Sequence, residues 1–282
     1  MVKRTIQFRG DGVNLIADEW GDPGQQTVIF LHGGGQTRHS WKSAGEDLAN
    51  AGFHTYSIDQ RGHGDSDWAE SGDYQISDLA RDLLAVLSQV DGDVVLVGAS
   101  MGGLASLLAT DWAPDRVEAL VLVDITTKAE PEGVERITTF MKGSPDGFSD
   151  LEEAADAVAT YLPHRRRPQS TTGLKKNLRR RDDGRWYWHW DPALFNIREG
   201  GSDDLATLME NAAANVRVPT LLVWGMLSDV VSAKSVDQLR KLIPHLEVVK
   251  LDKAAHTAAA DDNDEFSATV VEFCRRVFKT AQ

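Results

Sequence analysis

The chain has 282 residues, of which 41% are hydrophobic and 26% are charged, so it can form one large globular domain or a core with an insertion. Its formal net charge of −13 argues against general nucleic-acid binding, and no apolar run approaches the roughly 20 residues of a membrane-spanning helix. The single cysteine, Cys274, excludes an internal disulfide, and the N-terminal residues lack the apolar segment of a signal peptide, so we expect a cytoplasmic protein.

Hydrophobic patterning predicts that strands and helices alternate over the first 125 residues. Apolar or alternating runs predict strands at residues 3–8, 13–19, 27–31, 55–58, 94–97 and 117–123. Helical spacing or a run of helix-forming residues predicts helices at 41–51, 77–90 and 104–109. The first two strands are expected to form a hairpin, and the remaining alternation is typical of an α/β protein.

The alternation stops between residues 126 and 215 and then resumes. Within this stretch, helical patches are predicted at 133–142, 149–162 and 202–214. Afterwards the pattern predicts a strand, a helix, a strand and a last helix at 219–225, 233–242, 246–251 and 264–279. We therefore expect a core formed by residues 1–125 and 216–282, with residues 126–215 inserted into it.

A serine stands at the apex of a sharp turn between the strand at 94–97 and a helix. The turn has the sequence Gly98-x-Ser100-x-Gly102, and larger side chains at its two glycines would collide in so tight a reversal. Ser100 is thus a candidate nucleophile, and the N–H of Met101 at the helix N-terminus is a candidate oxyanion donor. The alternative is a glycine-rich turn with an ordinary capping serine.

A run of three glycines follows the strand at 27–31. No side chains shield the backbone N–H groups of Gly33 to Gly35, and a loop in this place can supply the second oxyanion donor, for which we take Gly34. A flexible connector would have the same composition.

Two motifs together carry a family resemblance. Residues 59–66 form a D-x-R-G-x-G-x-S turn, and the G-x-S-x-G turn follows at the expected distance. In these motifs the chain resembles the α/β-hydrolase superfamily. The resemblance implies a mostly parallel eight-stranded sheet flanked by helices, with residues 126–215 as a helical lid after the sixth strand. It also implies that His63, inside the first motif, is structural.

The base and the acid of a catalytic triad follow from the same resemblance. The superfamily's base stands after the last strand, where this chain has His256, and its usual acid stands three residues after Gly225, where this chain has Ser228. Asp229 is one residue further along. Asp124 occupies the alternative site at the end of the sixth strand, as in hydrolases of (acetamidomethylene)succinate, which this chain resembles here. We expect Asp124 to be the triad acid and keep Asp229 as the alternative, and Asp124 could also cap a turn.

The predicted lid is rich in basic and aromatic residues. Nine lysines or arginines and only two aspartates lie between His164 and Arg185, and most of these charges are expected on a solvated surface. An arginine turned toward the pocket would select a carboxylate by a bidentate bond, and tryptophans would supply apolar walls. The candidate substrate-binding residues are Arg165, Arg179, Arg180, Trp41, Trp186 and Trp188.

These features together predict a serine hydrolase. Ser100 would attack the carbonyl of an ester, lactone, amide or activated C–C bond in a small molecule that can carry a carboxylate, and His256 would protonate the leaving group. No cofactor and no metal are expected, and homo-oligomerisation stays open. The alternatives on the same fold are a cofactor-free haloperoxidase, which acts by perhydrolysis, and a cofactor-free dioxygenase. A receptor that keeps the triad is a third alternative, which nothing in the sequence favours.

Overall fold

The structure is a computed structural model that describes residues 3–163, 167, 170–195, 202–252, 254 and 263–280. Its strands are β1 (Arg4–Arg9), β2 (Asn14–Trp20), β3 (Thr27–Leu31), β4 (His54–Ile58), β5 (Val94–Ala99), β6 (Val117–Val123), β7 (Leu178–Arg180), β8 (Trp186–Trp188), β9 (Thr220–Gly225) and β10 (Glu247–Leu251). Its α-helices are α1 (Lys42–Asn50), α2 (Ile76–Leu87), α3 (Met101–Trp112), α4 (Pro131–Lys142), α5 (Leu151–Tyr161), α6 (Ser202–Asn215), α7 (Ala233–Leu242) and α8 (Asn263–Thr280).

One sheet of eight strands forms the centre of the fold. Its strand order is β1-β2-β4-β3-β5-β6-β9-β10. The strand β2 pairs antiparallel with β1 and β4, and the other neighbours pair parallel. The predicted fold, a mostly parallel eight-stranded sheet with flanking helices, is confirmed. Because β5 lies in the middle of this sheet, its carboxyl end is where the crevice of an open α/β sheet is expected.

Helices cover both faces of the sheet, which explains why its central strands are apolar at almost every position. Along β5 and β6, Leu96 and Leu120 face the side covered by α2, α3, α6 and α7. Their neighbours Val95 and Val121 face the opposite side, where α1 and α8 pack. A parallel strand buried on both faces needs apolar residues at every position rather than at alternate ones.

The helices α2 and α7 begin at capping residues. In α2, the Gln75 N–H donates to the Asp78 carboxylate at 2.8 Å in a capping box. In α7, the Ser232 hydroxyl accepts from the Ser235 N–H at 3.2 Å. These caps satisfy N–H groups that have no partner inside the helix. None of the helices in the described ranges is long and apolar enough to cross a membrane.

The segment between β6 and β9, here called the insertion, contains α4, α5, α6 and a short hairpin. The hairpin pairs β7 with β8 antiparallel, with Leu178 opposite Trp188. A small cluster of buried residues, Phe148, Ala154 and Leu178, joins the hairpin to α5. The helix α6 buries Met209 in the main core beside α3. The insertion thus has a small core of its own but returns to the main core through its last helix.

Candidate active site

Ser100 lies at the apex of the turn between β5 and α3, in a strained backbone conformation. Its φ is +47° and its ψ is −118°, a left-handed region that non-glycine residues seldom occupy. A Cβ atom on Gly98 would lie 2.4 Å from the Gly102 carbonyl oxygen, and one on Gly102 would lie 2.5 Å from that of Leu31. Both positions therefore require glycine, as the sequence predicted. The Ser100 N–H donates to the Val123 carbonyl at 3.2 Å, which ties the turn to β6.

The glycine loop after β3 lies beside this turn. A Cβ atom on Gly33 would be 3.3 Å from the Ser100 Cβ. Within the loop, the Gly33 N–H donates to the Gln36 side chain at 3.0 Å and the Gly35 N–H to His63 Nε2 at 3.2 Å. The Gly34 N–H has no hydrogen-bond acceptor in the described part of the chain. This leaves the Gly34 amide available to a bound group.

Two buried histidines, His32 and His63, form hydrogen bonds with backbone groups of the glycine loop. His32 Nδ1 donates to the Gly33 carbonyl at 2.8 Å, and its Nε2 accepts from the Gln60 N–H at 3.0 Å. His63 Nδ1 donates to the Arg61 carbonyl at 3.0 Å. Burial lowers the pKa of His32 to about 4, and burial together with His32 lowers the pKa of His63 to about 3. Both rings are therefore neutral near pH 7, and the contacts of His63 agree with the structural role expected for it.

The end of β6 carries the first candidate acid. Asp124 is fully buried and has a φ of +49°, a second strained non-glycine residue close to Ser100. One carboxylate oxygen accepts from the Gly225 N–H at 3.0 Å, and the other accepts from the Ser228 hydroxyl at 2.5 Å. Ser228, at the superfamily's usual acid position, thus donates to Asp124. Two residues further along, the Thr126 hydroxyl donates to the Lys128 carbonyl at 2.9 Å.

The second candidate acid, Asp229, has a different partner. Its two carboxylate oxygens accept from Nε and Nη2 of Arg136 on α4, at 2.5 and 2.9 Å. The pair is partly exposed, with side-chain exposures of 38% for Asp229 and 40% for Arg136. Arg136 also donates to the Tyr161 carbonyl, so Asp229 joins the loop after β9 to two helices of the insertion. The predicted base, His256, and the candidate Arg165 lie outside the described residues.

Comparison with known proteins identifies the family. A family model described as alpha/beta hydrolase fold matches residues 26–262. The chain belongs to the α/β-hydrolase family. It is 31% identical over 273 residues to the esterase Rv0045c of Mycobacterium tuberculosis, covering 94% of this chain and 87% of that protein. A structure of that esterase has a TM-score of 0.76 at 27% identity, with 99% of this chain and 93% of the other covered.

A second relative of this α/β-hydrolase is 2-(acetamidomethylene)succinate hydrolase of Mesorhizobium japonicum. The two are 29% identical over 205 residues, which is 72% of each chain. The crystal structure of E-2-(acetamidomethylene)succinate hydrolase has a TM-score of 0.84 at 23% identity and covers 97% of this chain, a likeness that shows the fold. With relatives that are an esterase and a hydrolase, this α/β-hydrolase is an enzyme of the hydrolase class.

A large cavity opens above Ser100, between the sheet edge and the insertion of the hydrolase. Its volume is about 1090 Å³, and Ser100, Gly34 and Met101 all line it. Most of the wall is apolar and comes from the insertion, including Trp188 and Trp190. These two rings stack with their centroids 4.9 Å apart and their planes at 11°. The predicted nucleophile and both predicted oxyanion donors are therefore brought together at one cavity.

Of the three tryptophans predicted to form walls of the cavity, one lines it. Trp188 lines the cavity as expected, but Trp41 lies outside the lining. Trp41 is buried in the core between Phe30 and Phe266, with ring centroids 5.2 and 5.6 Å away. Trp186 packs beside the small cluster of the insertion instead. The expectation that Trp41 and Trp186 form cavity walls is therefore corrected, because both rings are used in packing.

The structure also places the described candidate arginines away from the cavity. Arg179 Nη2 donates to the Asp65 carboxylate at 2.6 Å, and Arg180 Nε donates to the Gly184 carbonyl at 3.2 Å within the hairpin. Neither lines the cavity. The charged residues of the lining are instead Lys128, Lys142, Lys176 and Glu135. Sequence reasoning missed these lysines, because nothing in the pattern distinguishes them from the other basic residues of the surface.

Proposed function

We propose that this α/β-hydrolase is a serine esterase that cleaves esters with a large apolar part through an acyl-enzyme on Ser100. The observation that carries the proposal is that Ser100 lies at the strained apex of a turn and lines a large, mostly apolar cavity. The Gly34 N–H lines the same cavity and has no acceptor among the described residues. The relationship to a mycobacterial esterase at 31% identity supports an ester as the bond attacked.

The reaction begins with attack of the Ser100 hydroxyl on the ester carbonyl. The proton of the hydroxyl passes to His256, and the charge on the tetrahedral oxygen is held by the N–H groups of Gly34 and Met101. Each such donor contributes about 3 kcal/mol to lowering the barrier. His256 then gives its proton to the departing alkoxide, which leaves as the alcohol. Water, deprotonated by His256, attacks the acyl carbon; the bond to the Ser100 oxygen then breaks, His256 returns the proton to that oxygen, and the carboxylic acid is released.

Asp124 is the acid of the proposed triad, and three features favour it over Asp229. Its carboxylate is buried, and it is oriented by one donor at the end of β9 and one in the loop that follows. Its backbone is also strained, as is common at active sites. In contrast, Asp229 spends both oxygens on a bidentate ion pair with Arg136. Because the Arg136 guanidinium already places a positive charge at this carboxylate, a second cation such as an imidazolium is disfavoured there.

The cavity lining favours a large apolar acyl or alcohol group. The cavity volume of about 1090 Å³ lies just above the roughly 300–1,000 Å³ of pockets for drug-sized ligands. Three exposed lysines against one glutamate give its rim a positive charge. A substrate that carries a carboxylate would therefore place it at Lys128, Lys142 or Lys176 on the rim, with its apolar part inside.

A series of p-nitrophenyl esters of increasing acyl length tests the proposal. We expect turnover to rise with acyl length, and Ser100→Ala to lower kcat by several orders of magnitude, because triad members act as a unit. The matched control is Ser88→Ala, at an exposed serine that caps the end of α2, which should leave kcat unchanged. If Ser100→Ala keeps more than a few per cent of activity on every ester, the nucleophile is misassigned. Oxygen consumption that persists in this variant would favour the dioxygenase alternative.

A further inference from the structure

The hairpin end of the insertion is fastened to the loop that contains the D-x-R-G-x-G-x-S motif. The Asp191 N–H donates to the Gly62 carbonyl at 2.9 Å, and the Tyr74 hydroxyl donates to the Asp191 carboxylate at 2.5 Å. Arg179 donates to the Asp65 carboxylate at 2.6 Å. These contacts fasten β7 and the residues after β8 to the loop that follows β4.

His189 lies in the middle of this contact and reaches the glycine loop itself. It is 2% exposed, and its Nδ1 accepts from the Gly64 N–H at 2.7 Å. Its Nε2 lies 3.4 Å from the Gly35 carbonyl oxygen, to which it can only donate. The two contacts together require a neutral ring with its proton on Nε2. Burial, reinforced by His63, holds the pKa of His189 well below its usual range, which keeps the ring in that state.

The peptide groups on both sides of Gly35 are thereby held by imidazoles. The Gly35 N–H donates to His63 Nε2, and the Gly35 carbonyl accepts from His189 Nε2. One peptide earlier, the Gly33 carbonyl accepts from His32 Nδ1. Gly35 has a φ of +73°, and three consecutive glycines have little conformational preference of their own. The orientation of the Gly34 amide therefore depends on these three rings, of which one comes from the insertion.

We propose that His189 is a positioning residue of the oxyanion hole, which it completes from the insertion by bridging Gly64 and Gly35. The proposal rests on the proposed function, since it assigns the Gly34 amide to the oxyanion. The proposal implies that the insertion has two roles: it forms much of the cavity wall, and its contact with the glycine loop is needed for a high kcat. His189 lines no part of the cavity, so it acts on the substrate through the glycine loop alone.

Three substitutions at His189 separate its two hydrogen bonds. Phenylalanine removes both, glutamine can keep a donor near Nε2, and asparagine can keep an acceptor near Nδ1. We expect His189→Phe to lower kcat tenfold to a hundredfold, below the roughly 10²–10³ for complete removal of an oxyanion donor, with KM changed less than about threefold. His189→Gln should keep more kcat than His189→Asn, because only glutamine can still donate to Gly35.

The affinity for a trifluoromethyl ketone, which forms a tetrahedral adduct with the nucleophile, provides the second measurement. It should fall in parallel with kcat/KM across the three variants, whereas a purely structural role would lower the melting temperature and leave this affinity unchanged. The matched control is Tyr187→Phe in the same hairpin, whose hydroxyl contacts Asp183. Kinetics within threefold of the wild type for His189→Phe, or equal kcat for the glutamine and asparagine variants, would overturn the proposal. A wild type without turnover or adduct would instead overturn the esterase function on which it rests.

Discussion

Replacement of Asp124 by asparagine tests the assignment of the triad acid, and the structure gives the cost to stability. Asparagine can keep its oxygen toward the Gly225 N–H and would turn its NH2 group toward the Ser228 hydroxyl. That hydroxyl oxygen already lies 3.1 and 3.3 Å from the N–H groups of Val230 and Val231, so it is a poor acceptor for a third donor. The loss of one charge-assisted hydrogen bond predicts a destabilisation of about 1.5–3 kcal/mol.

The effect of this substitution on catalysis should be larger than its effect on stability. Without the carboxylate, His256 loses the partner that holds its tautomer, and a loss of about 10⁴ in kcat is the size found for such a change in a serine protease triad. This corresponds to about 5 kcal/mol in the activation free energy. Asp229→Asn should lower kcat less than tenfold and stability by about 0–1 kcal/mol, because its ion pair with Arg136 is partly exposed.

The assay compares kcat for the best p-nitrophenyl ester with the free energy of unfolding in urea, both at 25 °C. Arg136→Gln is the matched control for Asp229→Asn, since it removes the same ion pair from the other side. It should also lower kcat less than tenfold, with a somewhat larger loss of stability, because Arg136 also donates to the Tyr161 carbonyl. A collapse of kcat in Asp229→Asn, with Asp124→Asn nearly as fast as the wild type, would refute the reasoning.

Two further predictions concern the turn and the buried histidines. Gly98→Ala should lower kcat at least a hundredfold and destabilise the fold by about 1–3 kcal/mol, because its Cβ would overlap the Gly102 carbonyl. The control, Gly92→Ala, has open space around the added Cβ but a φ of +71°, so it should cost about 1–2 kcal/mol of stability and leave kcat nearly unchanged. The free energy of unfolding should fall as the pH is lowered from 6.5 to about 4. In this range His32 and His63 bind protons in the unfolded chain but stay neutral in the folded protein, because their pKa values are lowered there, and His32 alone contributes about 3 kcal/mol. Urea unfolding at pH 7, 5.5 and 4.5 measures this slope, and equal stability at the three pH values would contradict it.

Much of the fold could be predicted because its signals are local. The alternation of apolar strands with amphipathic helices located the eight strands of the central sheet, and α2 and α7 begin within one residue of the predicted starts. The hairpin β7–β8 was not predicted. Its strands have three residues each, too few for a periodic pattern, and β7 contains the two charged residues Arg179 and Arg180.

In the candidate site, too, the residues set by short local motifs could be predicted, and those set by distant contacts could not. The positions of Ser100 and Gly34 follow from short motifs whose glycines dictate the backbone, so the sequence located them at the cavity. Whether Trp41 faces the cavity or the core depends on packing against α8, which is more than 200 residues away along the chain, and no local signal encodes it. The contact of His189 with Gly35 was missed for the same reason.

The most direct test of the central claim is covalent labelling of the nucleophile. The intact protein is treated with an activated fluorophosphonate, and the mass of the product and of its peptides is measured. The account predicts one adduct per chain on the peptide that contains Ser100, no adduct in Ser100→Ala, and loss of esterase activity in proportion to labelling. Labelling on a different residue, or full esterase activity in a protein completely labelled at Ser100, would contradict it.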